Sequence, residues 1–212
     1  MIAQVRRHIE IDLYVMIRPR GGDFYYTEFE FDVMREEIAH AREQGADGVV
    51  LGLLDEDARI DVERTRRLVE LAHPLGVTFH RAIDMTPDLA VALEDVIATG
   101  ADRILTSGGA PNVERGLVEI TRMVENARGR IAIMPGSGIT PQNIASIAQA
   151  SGATEFHSSA RSTFSSPIRF RKPGMSMGDL RDREYRRFMV GEQNVRDLIQ
   201  ALSSDRKQSQ SA

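Results

Sequence analysis

The chain has 212 residues, of which 42% are hydrophobic, and this is enough to bury the core of one α/β domain. Its formal net charge of −4 predicts no general attraction to nucleic acid or to an anionic membrane surface. Cysteine is absent, which excludes disulfide bonds and thiolate metal sites. We therefore expect the partners to be small molecules or further copies of the chain.

No apolar run approaches the roughly 18 residues needed to span a membrane. Residues 1–13 carry Arg6, Arg7, Glu10 and Asp12 in place of the apolar centre of a signal peptide. The sequence therefore predicts a cytoplasmic protein without a membrane segment. Neither lysine, Lys172 or Lys207, falls in a predicted strand, so a Schiff-base mechanism is not expected.

Apolar, β-branched segments of strand length recur along the chain. They cover residues 14–19, 48–54, 77–83, 103–109, 131–138 and 155–160. Each segment begins almost continuously apolar and becomes polar or glycine-rich at its end, which is typical of strands in a buried parallel sheet. We therefore expect the functional residues at the C-terminal ends of these strands.

Amphipathic helices are predicted between the strands, for example over residues 28–44, 61–73 and 87–99. Gly-Ala pairs precede three strands, and each glycine fits a left-handed helix C-cap. This alternation predicts an α/β fold, either a βα barrel or a doubly wound sheet, with residues 1–202 as a single domain. Residues 203–212 are polar and predicted to be disordered.

The first predicted strand ends in the segment MIRPRGGDF, residues 16–24. Its two arginines, Arg18 and Arg20, stand beside Asp23, and the glycine pair between them allows a ligand to approach the backbone closely. Guanidinium groups bind carboxylate or phosphate in a bidentate manner, so this segment is a candidate anion site. The alternative is an Arg–Asp ion pair that closes the rim of the barrel.

The segment VTFHRAID places His80, Arg81 and Asp84 at the end of the third predicted strand. A histidine at this end of a barrel strand is a candidate general base or ligand. The alternative is a hydrogen-bonded core histidine.

The last predicted strand, EFHSSA, supplies His157, Ser158 and Ser159. His80 and His157 are candidates to share one metal or acid–base site at the barrel mouth.

Two further segments are candidate ligand sites. In MPGSGITPQNI, Gly136 and Gly138 form a turn before Thr140, which is a candidate helix N-cap followed by Pro141; such a turn presents backbone N–H groups to an anion. The alternative is a simple strand-to-helix turn. In KPGMSMG, the thioethers of Met175 and Met177 are candidate Cu(I) ligands, although a loop that packs over the barrel mouth is the favoured interpretation.

Together these motifs resemble those of the CutC family. MIRPRGGDF, GVTFHRAIDM, RILTSGG, PGSGI, EFHSSA and GMSM occur in this order and spacing, over about residues 5 to 200. The resemblance implies a TIM-type βα barrel that is cytoplasmic, is oligomeric in some members and is linked to copper handling. It also implies a set of recurring polar positions, here Arg18, Arg20, Asp23, His80, Arg81, Asp84, Ser107, His157, Ser158 and Ser159.

Members of that family begin with a further strand–helix–strand segment, which contains the proposed copper-ligand cysteines. We therefore expect an N-terminally truncated barrel with about six of the eight parallel strands. An open sheet exposes two edges that must be covered. Three explanations stay open: a start codon placed too far downstream, which is favoured, a degraded remnant, or an oligomer partner that covers the gap.

Three functional hypotheses follow. By resemblance, the chain is a copper homeostasis protein that binds or traffics Cu(I) through histidine and methionine, for which His80, His157, Met175 and Met177 are the candidate ligands. The alternative is a TIM-barrel enzyme acting on a small phosphorylated or carboxylated metabolite, with Arg18 and Arg20 holding the anion beside Gly136 and Gly138. His80, His157 and Asp84 are then the candidate catalytic residues. The third hypothesis is an inactive scaffold or oligomer partner.

Overall fold

The structure, a computed structural model, describes residues 1–175 and 183–209. It divides into two compact units. The first unit consists of Met1–Gly138 and Ile147–His157, and the second of Ile139–Ser146 and the described residues from Ser158 onward. The single domain expected over residues 1–202 stays a prediction.

Five parallel strands form the sheet of the first unit. They are β1 (Tyr14–Met16), β2 (Gly48–Leu51), β3 (Gly76–Phe79), β4 (Arg103–Thr106) and β5 (Ala132–Pro135), and they pair in chain order. In this register Val49 of β2 pairs with Val15 of β1 on one side and with Val77 of β3 on the other, and both strand pairings are parallel. Each strand leads into a helix, which is the α/β arrangement of a TIM-type barrel.

Seven α-helices are described. They are α1 (Ile2–Arg6), α2 (Glu28–Glu43), α3 (Val62–Ala72), α4 (Leu89–Thr99), α5 (Val113–Ala127), α6 (Ile144–Ser151) and α7 (Glu192–Ser209). Short 3₁₀ helices cover Arg81–Met85 and Arg183–Tyr185. Among the described residues, no helix is both long enough and apolar enough to cross a membrane.

Local sequence signals explain where the helices begin and end. Thr27 and Glu30 form a reciprocal capping box at the start of α2, and Asp88 accepts two backbone N–H groups at the start of α4. Gly45, Gly100 and Gly152 follow helices with φ values of 81°, 84° and 70°. The predicted left-handed glycines before the strands are therefore confirmed.

The sixth predicted strand, residues 155–160, contributes one isolated parallel bridge between His157 and Gly136. The chain turns directly afterwards, because the Ser158 hydroxyl donates to the Ile139 carbonyl and Ala160 adopts a positive φ of 42°. The described sheet therefore has five parallel strands where about six were expected.

The second unit contains a two-stranded antiparallel sheet that was not predicted. Its strands are β6 (Arg161–Ser165) and β7 (Arg186–Val190), in a register that pairs Thr163 with Phe188. Helix α7 follows β7 and extends through Ser209, so it covers most of the segment 203–212 that was expected to be disordered.

The side chains of Tyr14, Arg103 and Glu155 pack together at the N-terminal end of the parallel sheet. The ring of Tyr14 lies against Gly48 and Gly76, where an added Cβ atom would overlap it. The guanidinium of Arg103 lies 5.4 Å from the centre of that ring and forms a bidentate ion pair with Glu155. This packing occupies the end of the sheet opposite to the one where functional residues were predicted.

Candidate functional site

The C-terminal ends of β3 and β4 are joined through the carboxylate of Asp84. Its side chain is 5% exposed and accepts hydrogen bonds from Arg81 Nε at 2.7 Å, from the Thr106 hydroxyl at 2.5 Å and from the Gly109 N–H at 3.0 Å. The backbone N–H and the hydroxyl of Ser107 also donate to it. We call these five residues the Asp84 cluster.

The Asp84 cluster connects the loop after β4 to the 3₁₀ helix that follows β3. Arg81 Nη2 donates to the Ser107 hydroxyl at 2.8 Å, and Gly116 of α5 packs so closely on the Ser107 carbonyl that a Cβ atom there would overlap it. Because five donors already use its oxygens, Asp84 is held as a structural acceptor. These contacts do not favour the predicted catalytic role of Asp84, and they place Arg81 and Ser107 beside it.

His80 is the most deeply buried of the candidate catalytic groups, with 4% of its surface exposed. Its Nδ1 accepts the Ala82 N–H at 3.2 Å, so the neutral ring carries its proton on Nε2. Nε2 has no hydrogen-bond partner among the described residues. Burial lowers the pKa of His80 from 6.5 to about 4, so the ring is neutral at physiological pH. The geometry therefore makes His80 a hydrogen-bond donor toward a ligand.

Small and aromatic residues position the imidazole of His80. Gly52, directly after β2, lies against Nδ1 so closely that a Cβ atom would overlap the ring. Phe24 contacts the other side, with ring centres 4.9 Å apart in an edge-to-face geometry. Neither residue was singled out from the sequence.

The two arginines of the predicted anion site have different roles. Arg20 pairs with Glu30 at 2.6 Å and with Asp23 at 2.9 Å, and it also donates to the Tyr25 carbonyl. These contacts favour the ion-pair interpretation for Arg20 and Asp23. Arg18 is exposed, donates to the Gly22 carbonyl at 3.0 Å and lies 4.7 Å from the centre of the Phe24 ring. Arg18 is therefore the guanidinium of this segment that is available to an anion.

Tyr26 is a further polar residue of this region that the sequence reasoning missed. It is 1% exposed, and no group among the described residues accepts a hydrogen bond from its hydroxyl. The guanidinium of Arg20 lies 5.2 Å from the centre of its ring. Burial raises the pKa of Tyr26, and Arg18 partly opposes this rise through its charge and as a hydrogen-bond donor to the hydroxyl. The signal available in the sequence was its position directly before the helix cap at Thr27.

A cavity of about 610 Å³ adjoins Phe24. We call it the loop cavity, since it lies between the loops after β1 and β2; its lining residues are Gly22, Asp23, Phe24, Tyr25, Leu54, Asp55, Glu56, Ala58 and Met85. Its walls are mainly apolar, and its charged groups are three carboxylates. The Leu54 N–H donates to the Phe24 carbonyl at 2.9 Å, which joins the two loops.

The glycine turn after β5 is largely used by internal contacts. The Gly136 N–H donates to the Thr106 carbonyl at 2.8 Å, and the Ser137 carbonyl accepts the Val113 N–H at 3.0 Å. Gly138 has a φ of 89°, which a glycine adopts readily. The Gly136 N–H is thus not available to an anion as predicted.

The predicted helix start at Thr140 is displaced in the second unit. Helix α6 begins at Ile144, and the Thr140 N–H donates to the Asn143 side chain at 2.8 Å. Pro141 therefore lies in a turn before the helix.

The remaining candidates are not brought together by direct contacts. His157 is exposed beside Gly136, and burial of part of its ring lowers its pKa. Ser158 bonds to the backbone of its own unit, Ser159 is exposed, and Met175 is 46% exposed. Met177 lies outside the described residues. In the part of the chain that the structure describes, no group of three or more His, Asp or Glu side chains is placed to hold a metal ion.

Sequence comparison relates the chain to one family. The sequence model of the CutC family matches residues 1–162. A CutC family protein of Chromobacterium violaceum is 47% identical over 201 residues, which cover 95% of this chain and 81% of that protein. The human copper homeostasis protein cutC homolog is 49% identical over 174 residues, which cover 82% of this chain and 64% of the human protein.

Structural comparison gives the same relation. A CutC protein of Streptococcus agalactiae, known from a crystal structure, superposes with a TM-score of 0.70 and 34% sequence identity. The superposition covers 74% of this chain and 78% of that chain.

Proposed function

The chain belongs to the CutC family, and on this premise we propose that it is a cytoplasmic copper homeostasis protein of the CutC type, with Cu(I) as its cargo. The family match carries this proposal. Imidazole and thioether groups are the copper ligands that this cysteine-free chain offers.

The described residues fit a copper site only in part. His80 offers one ring nitrogen without a partner, and His157 offers a second ring that is exposed. They do not form a group of three His, Asp or Glu ligands among the residues that are described. The proposal therefore assigns the two histidines as candidate ligands and no coordination geometry.

The test is a titration of the purified full chain with Cu(I) in competition with a chromophoric chelator. We expect stoichiometric binding that is lost in a His80→Ala, His157→Ala double variant and retained in a His40→Ala variant, whose histidine is exposed on α2. Circular dichroism of the double variant checks that it is folded. Copper left entirely on the chelator by the unaltered chain would contradict Cu(I) as direct cargo.

A second candidate function is an enzyme that acts on a small carboxylated or phosphorylated metabolite. It is favoured by one observation, which is the buried, unpartnered Nε2 of His80 near the exposed guanidinium of Arg18. Arg18 would hold the anionic group, and the Nε2–H of His80 would donate to an oxygen on which negative charge develops. A neutral imidazole is suited to this role because it polarises a carbonyl group without adding a buried charge.

Thermal denaturation with a panel of carboxylates, inorganic phosphate and sugar phosphates tests this second candidate. A ligand that binds only the folded chain stabilises it by RT ln(1 + [L]/Kd), so the melting temperature rises with the logarithm of the ligand concentration once that concentration exceeds Kd. We expect at least one compound to do so in the unaltered chain and not in an Arg18→Ala variant. A panel without any such compound would rule out this function.

We also propose a homo-oligomer. Phe164 and Met189 are exposed on one face of the β6–β7 sheet, at 39% and 44% of their surface, and a second copy of the chain would bury them. Sedimentation velocity of the chain and of a Phe164→Ser, Met189→Ser variant tests this. A monomer at all concentrations would contradict it.

A further inference from the structure

Two buried donors in the first unit are left without an acceptor. They are Nε2 of His80 and the hydroxyl of Tyr26, in side chains that are 4% and 1% exposed. Leaving such a group unpaired in the interior destabilises the folded chain. A ligand oxygen that accepts hydrogen bonds at this position would remove that cost.

Arg18 supplies a positive charge near both donors. Its guanidinium and the His80 ring contact the same Phe24 ring, at 4.7 Å and 4.9 Å from its centre. Its charge also acts on the Tyr26 hydroxyl. One guanidinium with two neutral donors matches a singly charged carboxylate, whose two oxygens together offer about four acceptor positions.

The loop cavity, which shares Phe24 with this group, carries the opposite charge. Asp23, Asp55 and Glu56 line it, and the ion pair with Arg20 balances one of these carboxylates. A simple anion would be repelled there, whereas an ammonium group would be attracted. The apolar lining residues Leu54 and Met85 offer a surface to an aliphatic side chain.

We propose that this end of the first unit binds a small, zwitterionic α-amino acid. The carboxylate accepts from Arg18, His80 Nε2 and the Tyr26 hydroxyl, and the ammonium group faces the acidic wall of the loop cavity. Phe24 is half-buried, contacts Arg18 and His80 and also lines the loop cavity; it moves aside to admit the ligand. The proposal narrows the second candidate function and rests on it, since both use Arg18 and His80; it adds Tyr26 as a binding residue.

The first experiment separates the two charges of the ligand. Isothermal titration calorimetry on the full chain compares L-leucine with N-acetyl-L-leucine, which lacks the ammonium group, and with L-leucinamide, which lacks the carboxylate. We expect L-leucine to bind and each derivative to bind at least about tenfold more weakly, which is about 1.4 kcal/mol. Equal binding of N-acetyl-L-leucine would overturn the contact with the acidic wall, and equal binding of L-leucinamide would overturn the carboxylate contact.

The same titrations distinguish failure of this proposal from failure of the second candidate function. If L-leucine does not bind while inorganic phosphate or N-acetyl-L-leucine does, the amino-acid proposal is wrong and the second candidate function stands. If L-leucine and the whole panel of anions fail to bind, both are wrong.

The second experiment tests Tyr26 by removing its hydroxyl alone. A Tyr26→Phe variant keeps the ring that contacts Arg20, so we expect its melting temperature to stay the same or rise, while L-leucine affinity falls about tenfold. The matched control is Tyr14→Phe, at the opposite end of the same sheet, for which we expect unchanged L-leucine affinity. Unchanged affinity in Tyr26→Phe would overturn the assignment, as would a loss of stability without ligand.

Discussion

The buried imidazole of His80 should govern part of the acid sensitivity of the folded chain. Burial lowers the pKa of this ring to about 4, against 6.5 for an exposed histidine. Above pH 6.5 neither the folded nor the unfolded chain binds a proton at His80. Between pH 6.5 and about 4 the unfolded chain binds the proton and the folded chain does not. The free energy of unfolding therefore falls as the pH is lowered through this window.

The size of the effect follows from the difference between the two pKa values. One pKa unit corresponds to about 1.4 kcal/mol, so His80 contributes a loss of about 3 kcal/mol by the acid end of the window. Within the window the slope from this single proton is at most about 1.4 kcal/mol per pH unit. His157, whose pKa is also lowered by burial, adds to the total slope with the same sign.

The measurement is urea unfolding at a series of pH values across this window. In a His80→Asn variant the side-chain oxygen can still accept the Ala82 N–H, while the titrating group is gone. We expect this variant to have a flatter pH dependence than the unaltered chain, and a His40→Gln variant to follow the unaltered chain. An unchanged slope in His80→Asn would refute the assignment of a buried, neutral imidazole.

Three further substitutions test the packing at the two ends of the parallel sheet. Asp84→Asn should lower the free energy of unfolding by about 1–3 kcal/mol, since an amide in place of the buried carboxylate cannot accept all of the hydrogen bonds from Arg81, Thr106 and the loop after β4; a loss of ligand binding at unchanged stability would contradict the structural role of Asp84. Glu155→Gln should cost about 1–3 kcal/mol in urea unfolding, because it weakens the bidentate contact with Arg103, and an unaltered midpoint would count against that contact. Gly52→Ala should displace the imidazole of His80 and change its NMR ring shifts, whereas unchanged shifts would mean that the ring is not held against this glycine.

The sequence was sufficient for the part of the fold that local signals determine. Apolar runs and glycine caps located five strands and the helices between them, because each signal lies within a few residues of the element it specifies. The β6–β7 sheet was missed because its pairing joins two segments that are not neighbours in the sequence, 161–165 and 186–190, and neither segment alternates clearly between apolar and polar residues. The sixth predicted strand was reduced to one bridge by the hydrogen bonds of Ser158, which an apolar pattern does not reveal.

Only part of the candidate site could be predicted from the sequence. The position of Arg18 and His80 at strand ends followed from the parallel sheet. The difference between Arg18 and Arg20 did not, since it depends on Glu30, which belongs to the following helix. Tyr26 was missed because its burial depends on how a loop packs.

The Asp84 cluster also determines which part of this region can respond to a ligand. Three donors of the loop after β4, the N–H and hydroxyl of Ser107 and the N–H of Gly109, bond to Asp84, and Gly116 packs against the Ser107 carbonyl, so this loop is fixed. The segment with Arg18 and Phe24, in contrast, includes two exposed glycines. Amide hydrogen exchange should therefore be slow at Ser107 and Gly109 and fast along residues 18–24, with ligand-induced protection confined to the fast segment. A ligand at this end of the sheet would then be bound by a loop after β4 that stays fixed and by residues 18–24, which become ordered around it.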